Sequence, residues 1–319
     1  MRTKLRVCLL LAGIVCFAFL LAWSEPVSKE GFIQVPGGRV WYRIVGSGNA
    51  TPLLIIHGGP GMPSDYLRPL ELLSDERPVI FYDQLGCGKS DRPKDPSLWR
   101  EDRFVEELAT VRKALGLNND VHILAHSWGT MLMMDYLKTK PRGIDSLILA
   151  GPAINVQRWL ADANQYRKQL PADVQATLKK HEDAGTTDSL EYQDAVMVYY
   201  QQHLCRLQPW PPEMESTMRN AGMDEYLAMW GPSEFYATGS LKNFDGTTEL
   251  KKIKIPVLFL SGQYDEATPE TTAYYHKLLP GSSMVILKGC SHIAMLEQPH
   301  EYRRVVREFL LKVEGMKRE

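Results

Sequence analysis

The sequence is poor in cysteine, which excludes a small fold held together by disulfides. Only five cysteines occur in 319 residues, and Cys8 and Cys16 lie in an apolar N-terminal segment. Cys87, Cys205 and Cys290 remain. Three thiols cannot all pair, and their spacing does not match a metal site. We expect free, mostly buried thiols, because an unpaired cysteine behaves as a small apolar residue; the alternative is one disulfide between two of the three.

The sequence also lacks an excess of charge of one sign and any internal repetition. Its formal net charge is −1, which gives no electrostatic footprint for a nucleic-acid partner. No sustained heptad, low-complexity tract or repeat is present, which argues against a coiled coil or a solenoid. The length suits one large domain or a core domain with an insertion.

The N-terminus holds a long uncharged apolar run. Arg2, Lys4 and Arg6 precede this run, which spans residues 7–23. Basic residues followed by an apolar core are typical of a secretory signal peptide or an uncleaved membrane anchor. We therefore assign residues 1–24 to such a segment and leave it out of the fold. We expect an exported protein, periplasmic or secreted, or a membrane-anchored one with its folded part outside the cytoplasm.

The rest of the chain alternates short apolar segments with segments of helical spacing. A Gly-Gly turn within residues 32–45 predicts a β-hairpin. Short buried strands are predicted at residues 53–56, 79–82, 121–125, 146–150, 257–261 and 284–287, and helices at residues 66–73, 102–115, 130–137 and 300–313. This alternation predicts an α/β fold with a mostly parallel sheet covered on both faces.

Residues 152–241 interrupt this pattern. The segment is rich in Gln, Tyr, Met and Trp and has no convincing buried strand. Helices are predicted at residues 158–170, 173–181 and 190–204. The sequence therefore predicts a core of residues 25–151 and 242–319 with a helical cap at residues 152–241, placed as a lid over a site.

A strand, a sharp turn and a helix are predicted in succession around Ser127. This is the context of a nucleophile elbow, whose usual pattern is Gly-x-Ser-x-Gly. Ala125 replaces the first glycine and Gly129 holds the second. Ser127 is therefore a candidate nucleophile. The alternative is that Ser127 serves only as a helix N-cap.

A serine hydroxyl needs a base, and the base needs an acid to orient it. In this type of site the order along the chain is Ser, acid, His. Asp265 follows the predicted strand at residues 257–261, and His292 follows the one ending near residue 287. Both lie at carboxyl ends of parallel strands, where such sheets bind ligands. A helix-capping Asp265 and a surface His292 are the alternatives.

Glycines follow the predicted strand at residues 53–56, in the segment His57-Gly-Gly-Pro-Gly61. A tetrahedral oxyanion requires preorganised N–H donors, and glycine lets the backbone approach it closely. We predict that the N–H groups of Gly59 and Trp128 form this oxyanion hole and that His57 braces the loop. The alternative is a plain Gly/Pro turn.

From about Gly31 to its end, the chain resembles the proline iminopeptidases and their relatives, the α/β-hydrolase aminopeptidases and amino-acid amidases of peptidase family S33. The segments that carry the resemblance are residues 57–61, 82–90, 231–235, 262–269 and 291–292 and the turn at Ser127. The family usually has Arg where Leu85 stands and Gly where Ala125 stands, so the resemblance carries over the reaction but not the fine substrate preference.

The resemblance implies an α/β-hydrolase fold with a helical cap and an enzyme that removes one residue from a free N-terminus. It also implies an anion for the substrate ammonium, which by motif match is the pair Glu234 and Glu266. Phe235 and Tyr236, beside Glu234, are expected to line an apolar pocket. The alternatives are that Glu234 is a solvated glutamate on the surface of the cap and that Glu266 is a glutamate at the start of a helix. For Phe235 and Tyr236 the alternative is ordinary packing of the cap onto the core.

Together these observations predict a serine aminopeptidase, prolyl aminopeptidase-like, that releases proline or another apolar residue through an acyl-enzyme. Ser127, Asp265 and His292 would form its catalytic triad. The partner is a small peptide or amino-acid amide, and the chemistry requires no metal or cofactor. An esterase or amidase of a small metabolite is the second hypothesis. A ligand-binding relative without catalysis is the third.

Overall fold

A computed structural model describes residues 28–316, which form one eight-stranded sheet flanked by helices. The strands are β1 (Ser28–Val35), β2 (Gly38–Val45), β3 (Leu53–Ile56), β4 (Val79–Tyr82), β5 (Val121–His126), β6 (Ile144–Ala150), β7 (Val257–Gly262) and β8 (Ser283–Leu287). The α-helices are α1 (Glu101–Ala114), α2 (Trp128–Lys138), α3 (Val156–Arg167), α4 (Ala172–Ala184), α5 (Leu190–His203), α6 (Pro212–Arg219), α7 (Met223–Met229), α8 (Thr247–Leu250), α9 (Pro269–Leu278), α10 (Ala294–Glu297) and α11 (Pro299–Met316), and short 3-10 helices lie at Ser64–Leu73, Pro96–Leu98 and Ser240–Asn243.

The sheet is parallel except at one side. Its strand order is β1-β2-β4-β3-β5-β6-β7-β8. Strand β2 pairs antiparallel with both β1 and β4, and the remaining neighbours are parallel. The predicted hairpin and the predicted mostly parallel sheet are therefore confirmed.

The two faces of the sheet bury separate hydrophobic cores, because alternate side chains of a strand point to opposite faces. From β3, Leu54 and Ile56 pack with α1 and α2, whereas Leu53 and Ile55 pack with α11 and the 3-10 helix at Ser64–Leu73. All four side chains are fully buried. Each such burial contributes roughly 1.5–3 kcal/mol.

Side-chain caps start the helices that approach the carboxyl ends of the strands. Asn155 accepts a hydrogen bond from the Arg158 N–H (2.8 Å) at the start of α3. Thr268 accepts one from the Thr271 N–H (3.1 Å) at the start of α9, where proline occupies the first turn. Both arrangements satisfy N–H groups that the helix itself leaves unpaired.

Helices α3 to α8 lie between β6 and β7, where the sequence predicts an insertion. The insertion is bonded to the core: the Ser216 hydroxyl donates to Asp65 (2.8 Å), and the Tyr66 N–H donates to the Thr217 hydroxyl (3.1 Å). The predicted α-helix at residues 66–73 is instead a 3-10 helix with Pro69 inside it. Proline cannot donate the backbone hydrogen bond that an α-helix needs at this position.

The predicted leader, residues 1–24, lies outside the described residues. Within residues 28–316, the helices are too short or too polar to cross a bilayer.

Candidate active site

Ser127 occupies the turn between β5 and α2. Its φ of 54° and ψ of −122° are unusual for a residue with a Cβ, and such strain persists only where the surroundings impose it. The Ser127 N–H donates to the Ala150 carbonyl of the neighbouring strand (2.9 Å). Ser127 lines a cavity whose empty space, including its open mouth, is about 660 Å³. The turn therefore holds this hydroxyl out of the sheet and at the cavity.

His292 and Asp265 meet at the same cavity edge. The Nδ1–H of His292 donates to Oδ1 of Asp265 (2.7 Å). The carboxylate also accepts from the N–H groups of Ala267 (2.8 Å) and Gly262 (3.2 Å). These bonds fix the tautomer in which Nε2 of His292 is free to accept a proton. Both Ser127 and His292 line the cavity.

The charge state of His292 reflects opposing effects. Burial disfavours the imidazolium, but the charge and hydrogen bond of Asp265 outweigh it and raise the pKa of His292 above its ordinary value. The ring packs edge-on against Trp159 of α3, with ring centroids 5.5 Å apart. A Cβ on Gly151 would lie 2.6 Å from the His292 ring, so only glycine leaves room for this base.

The loop after β3 brings backbone donors to the cavity. Gly58 and Gly59 line it, and the φ of Gly59 is +110°, which favours glycine. The N–H groups of Gly59 and Trp128 make no hydrogen bond to any residue within 28–316. They are therefore free to receive an oxyanion.

His57 and Gln84 support this loop through hydrogen bonds. Nε2 of His57 accepts from the Gln84 N–H (2.8 Å), which leaves its Nδ1–H to donate to the Gly58 carbonyl (2.9 Å). The Gln84 side chain accepts from the indole N–H of Trp128 (3.0 Å). The predicted bracing position of His57 therefore agrees with its contacts, and Gln84 connects the two proposed oxyanion donors.

Glu234 lines the cavity, and Glu266 lies buried behind its wall. The Tyr226 hydroxyl donates to Oε1 of Glu234 (2.7 Å). Neither carboxylate oxygen of Glu266 has a hydrogen-bond partner among the residues described. Burial raises the pKa of both glutamates, and the charges of Glu234 and Asp265 raise the pKa of Glu266 further. Two acids that form no ion pair within residues 28–316, one half-buried and one fully buried, favour binding of a cationic group.

The predicted pocket role of Phe235 and Tyr236 is corrected by their placement. Neither is among the residues that line the cavity, which takes its aromatic surface from Tyr66, Tyr200 and Tyr226. The Tyr236 N–H donates to the Ser233 carbonyl (3.1 Å) in a tight turn that sends successive side chains in different directions. Phe235 is 2% exposed and packs in the core instead.

The sequence analysis missed several residues that surround the site. Tyr66 and His126 line the cavity and bond to each other, Trp159 packs on the base, and Tyr226 binds Glu234. His126 stands next to Ser127 in the chain, which was a usable signal. The others lie far from any motif. Four methionines also contribute to the cavity wall: Met62, Met214, Met218 and Met223.

Other candidate chemistry finds no support in the part of the chain described. No group of three or more His, Cys, Asp or Glu side chains within residues 28–316 is placed to hold a metal ion. Cys87, Cys205 and Cys290 are buried and unpaired, as expected. Burial raises the pKa of each thiol, so all three resist forming a thiolate.

Comparison with known proteins places this chain in a family. The alpha/beta hydrolase fold family matches residues 51–299. A proline iminopeptidase of Heyndrickxia coagulans is 49% identical over 285 residues, which cover 88% of this chain and 98% of that protein. This chain belongs to the proline iminopeptidase family of α/β hydrolases.

Solved structures of related proteins agree with this membership. The crystal structure of a Mycobacterium smegmatis proline iminopeptidase has 33% sequence identity and a TM-score of 0.82. The crystal structure of VinJ has 34% identity and a TM-score of 0.86. Each comparison covers 91% of this chain and 100% of the other. The expected α/β-hydrolase fold is thereby confirmed.

This proline iminopeptidase family member departs from the family's usual residues at two buried positions. Leu85 lies against the β1–β2 turn, where its methyl groups approach the backbone of Gly37 and Gly38. Ala125 is fully buried in β5. Neither side chain lines the cavity, so both substitutions act on the scaffold rather than on substrate contact.

Proposed function

We propose that this protein is a serine aminopeptidase that releases an N-terminal proline or other apolar residue from small peptides or amino-acid amides. The observation that carries the proposal is the placement of Glu234 in the same cavity as Ser127 and His292. A plain esterase needs only a nucleophile, a base and oxyanion donors. The added carboxylate gives the cavity a means of selecting substrates with a free amine.

The reaction is acyl transfer. His292 takes the proton of Ser127 as the hydroxyl attacks the scissile carbonyl, and the N–H groups of Gly59 and Trp128 stabilise the oxyanion. The protonated His292 then gives its proton to the leaving amine, and water activated by the same residue releases the acid. Asp265 holds the required tautomer and stabilises the imidazolium, in agreement with its 2.7 Å bond to Nδ1.

Glu234 anchors the substrate. Its carboxylate accepts from Tyr226 and keeps further acceptor capacity for the substrate ammonium. Glu266 adds a second negative charge behind the wall and favours the ammonium form of the amine. A bound ammonium in turn stabilises both carboxylates as anions, so these two acids ionise together with substrate binding.

A panel of substrates tests the assignment directly. Prolyl and other aminoacyl arylamides should be cleaved, their N-blocked counterparts should react far more slowly, and simple esters should react without regard to an amine. Equal rates on free and N-blocked arylamides would contradict an aminopeptidase and favour the esterase hypothesis.

Ser127→Ala should lower kcat on the order of 10⁵- to 10⁶-fold, because the nucleophile acts as a unit with its base. The free energy of unfolding should not fall, since the replacement is smaller at a strained turn. Substantial residual turnover, or an unchanged reaction with a fluorophosphonate label, would remove Ser127 from the proposed role.

Glu234→Gln should lower kcat/KM for free-amine substrates about ten- to a hundredfold, the size of a charge-assisted hydrogen bond. Hydrolysis of a simple ester should change less than threefold. Glu215→Gln is the matched control, because Glu215 is an exposed glutamate on α6 of the insertion. Equal losses by Glu234→Gln on amine and ester substrates would reject the anchoring role.

A further inference from the structure

A chain of three hydrogen bonds links the oxyanion loop to the loop of the base. The Gly58 N–H donates to the Tyr66 hydroxyl (2.8 Å). That hydroxyl lies 2.8 Å from Nδ1 of His126, and Nε2 of His126 lies 3.1 Å from the His292 carbonyl. We call Tyr66 and His126 with these bonds the Tyr66–His126 bridge.

The direction of the bonds follows from the chemistry of their ends. A carbonyl oxygen only accepts, so Nε2 of His126 carries the proton that it donates to His292. A neutral ring then offers the Nδ1 lone pair, which accepts the Tyr66 proton. Burial, followed by the nearby charge of His292, lowers the pKa of His126. With His126 neutral and in this tautomer, each donor of the bridge has an acceptor.

The two residues of the bridge are buried and pack closely together between the loops of the site. Tyr66 and His126 are each 2% exposed, and their rings meet edge-on with centroids 5.2 Å apart. The ring of His126 lies 4.5 Å from that of His292. A Cβ on Gly58 would lie within 3.3 Å of Ser127, Tyr66 and His126 at once. The nucleophile turn, the oxyanion loop and the base loop thus converge on this pair.

We infer that Tyr66 and His126 are positioning residues for acyl transfer, which hold the Gly59 donor and the His292 base in register. The inference rests on the proposed function, because it takes Ser127, His292 and the Gly59 N–H as the reacting groups. The bridge bonds backbone atoms of both loops rather than substrate. Its loss should therefore affect the transition state, in which donor and base must both be in place, more than ground-state binding.

Tyr66→Phe removes two bonds of the bridge and keeps the shape of the ring. We expect kcat to fall about tenfold, below the loss for a deleted oxyanion donor, with KM changed less than twofold. Tyr302→Phe is the matched control: Tyr302 is equally buried, in α11, and its hydroxyl has no hydrogen-bond partner in residues 28–316. Its kcat should stay within twofold of the unaltered enzyme.

His126 variants test whether the two residues act as one unit. His126→Leu should also lower kcat about tenfold, and the Tyr66→Phe/His126→Leu double variant should lose no more than about thirtyfold, because one bridge is lost only once. The Gln side chain keeps one acceptor and one donor. The activity of His126→Gln should therefore exceed that of His126→Leu by at least a third of the activity that the Leu substitution removes. The rate of fluorophosphonate labelling of Ser127 should follow kcat across the series.

The assays use the full chain with a simple ester as well as a prolyl arylamide. If the arylamide is not cleaved but the ester is, the aminopeptidase proposal fails while the bridge is still tested on the ester.

A hundredfold, additive loss in the double variant would overturn the inference. A rise in KM with unchanged kcat for Tyr66→Phe would overturn it too, because that result makes Tyr66 a substrate contact. If another variant does not fold, His126→Gln is the variant that decides. Full activity and labelling of His126→Gln would support the bridge, and failure of His126→Gln to recover activity would contradict it.

Discussion

At the scale of single residues, the site holds a serine in an unusual backbone conformation and an aspartate in a buried position. Ser127 is held at positive φ, and only Lys140 shares this feature among the non-glycine residues described. Asp265 is 1% exposed, yet two backbone N–H groups and His292 satisfy its carboxylate. A buried charge with complete hydrogen bonding keeps its partner oriented without large movement during the reaction.

The pH dependence of activity follows from His292. Acyl transfer needs a neutral imidazole, and Asp265 raises the pKa of His292 above its ordinary 6.5. With a simple ester, whose binding needs neither glutamate, kcat/KM should therefore rise with pH to a plateau, with a midpoint above 6.5. Asp265→Asn should move this midpoint to lower pH and reduce kcat about 10⁴-fold. A midpoint below 6.5 in the unaltered enzyme, measured from pH 4 to 9, would contradict this account.

At the scale of elements, strands were easier to predict than the insertion. The predicted bounds of β3 and β4 match the structure, and those of the other parallel strands differ by at most two residues. Strands buried on both faces give uninterrupted apolar runs, which are a strong signal. Helices α6 and α7 have eight and seven residues, which is too short for helical periodicity to emerge.

The residues of the candidate site also differ in whether the sequence could predict them. Ser127, Asp265 and His292 were predictable because each follows a strand, and the topology brings strand ends together. The Tyr66–His126 bridge was not, since its two residues are 60 positions apart and Tyr66 lies in a 3-10 helix with no motif. Phe235 was misplaced because one tight turn decides which neighbour of Glu234 faces the cavity.

An ion pair with a buried arginine links the end of helix α11 to the segment before β4, which gives a prediction about stability. Arg77 is fully buried, and its guanidinium donates to Glu314 near the end of α11 (2.6 Å). Glu314→Ala should lower the free energy of unfolding by about 3 kcal/mol, because the buried guanidinium loses its nearest carboxylate and keeps only the more distant Glu76 (3.7 Å). Glu308→Ala removes an exposed partner of Arg304 from the same helix and should cost under about 0.5 kcal/mol. Urea unfolding measures both, and equal losses would refute the buried-pair account.

At the scale of the whole molecule, the cavity forms where two parts of the chain meet. The loops after β3, β5, β7 and β8 supply the proposed oxyanion donor, nucleophile, acid and base, while α5, α6 and α7 and the turn at Glu234 supply the opposite wall. The end of α5 also holds the base: the carbonyls of His203 and Leu204 accept from the N–H groups of His292 and Ile293 (3.0 and 2.9 Å). The insertion that supplies Glu234 to the cavity therefore also holds the loop of His292.

The N-terminal segment remains a prediction, and its removal should leave the enzyme intact. Strand β1 begins at Ser28, so a chain starting at Glu25 retains every element described within residues 28–316. Its kcat/KM on a prolyl arylamide and its free energy of unfolding should equal those of the full chain within about twofold and 0.5 kcal/mol, the range of changes outside a packed core.

In a bacterial host, activity of the full chain should be found outside the cytoplasm, and that of the shortened chain inside it. Replacing Arg2, Lys4 and Arg6 with glutamate should retain the full chain in the cytoplasm, because the basic start directs export. Full-chain activity confined to the cytoplasm would show that residues 1–24 do not act as an export signal, and loss of activity in the shortened chain would show that they contribute to the folded enzyme.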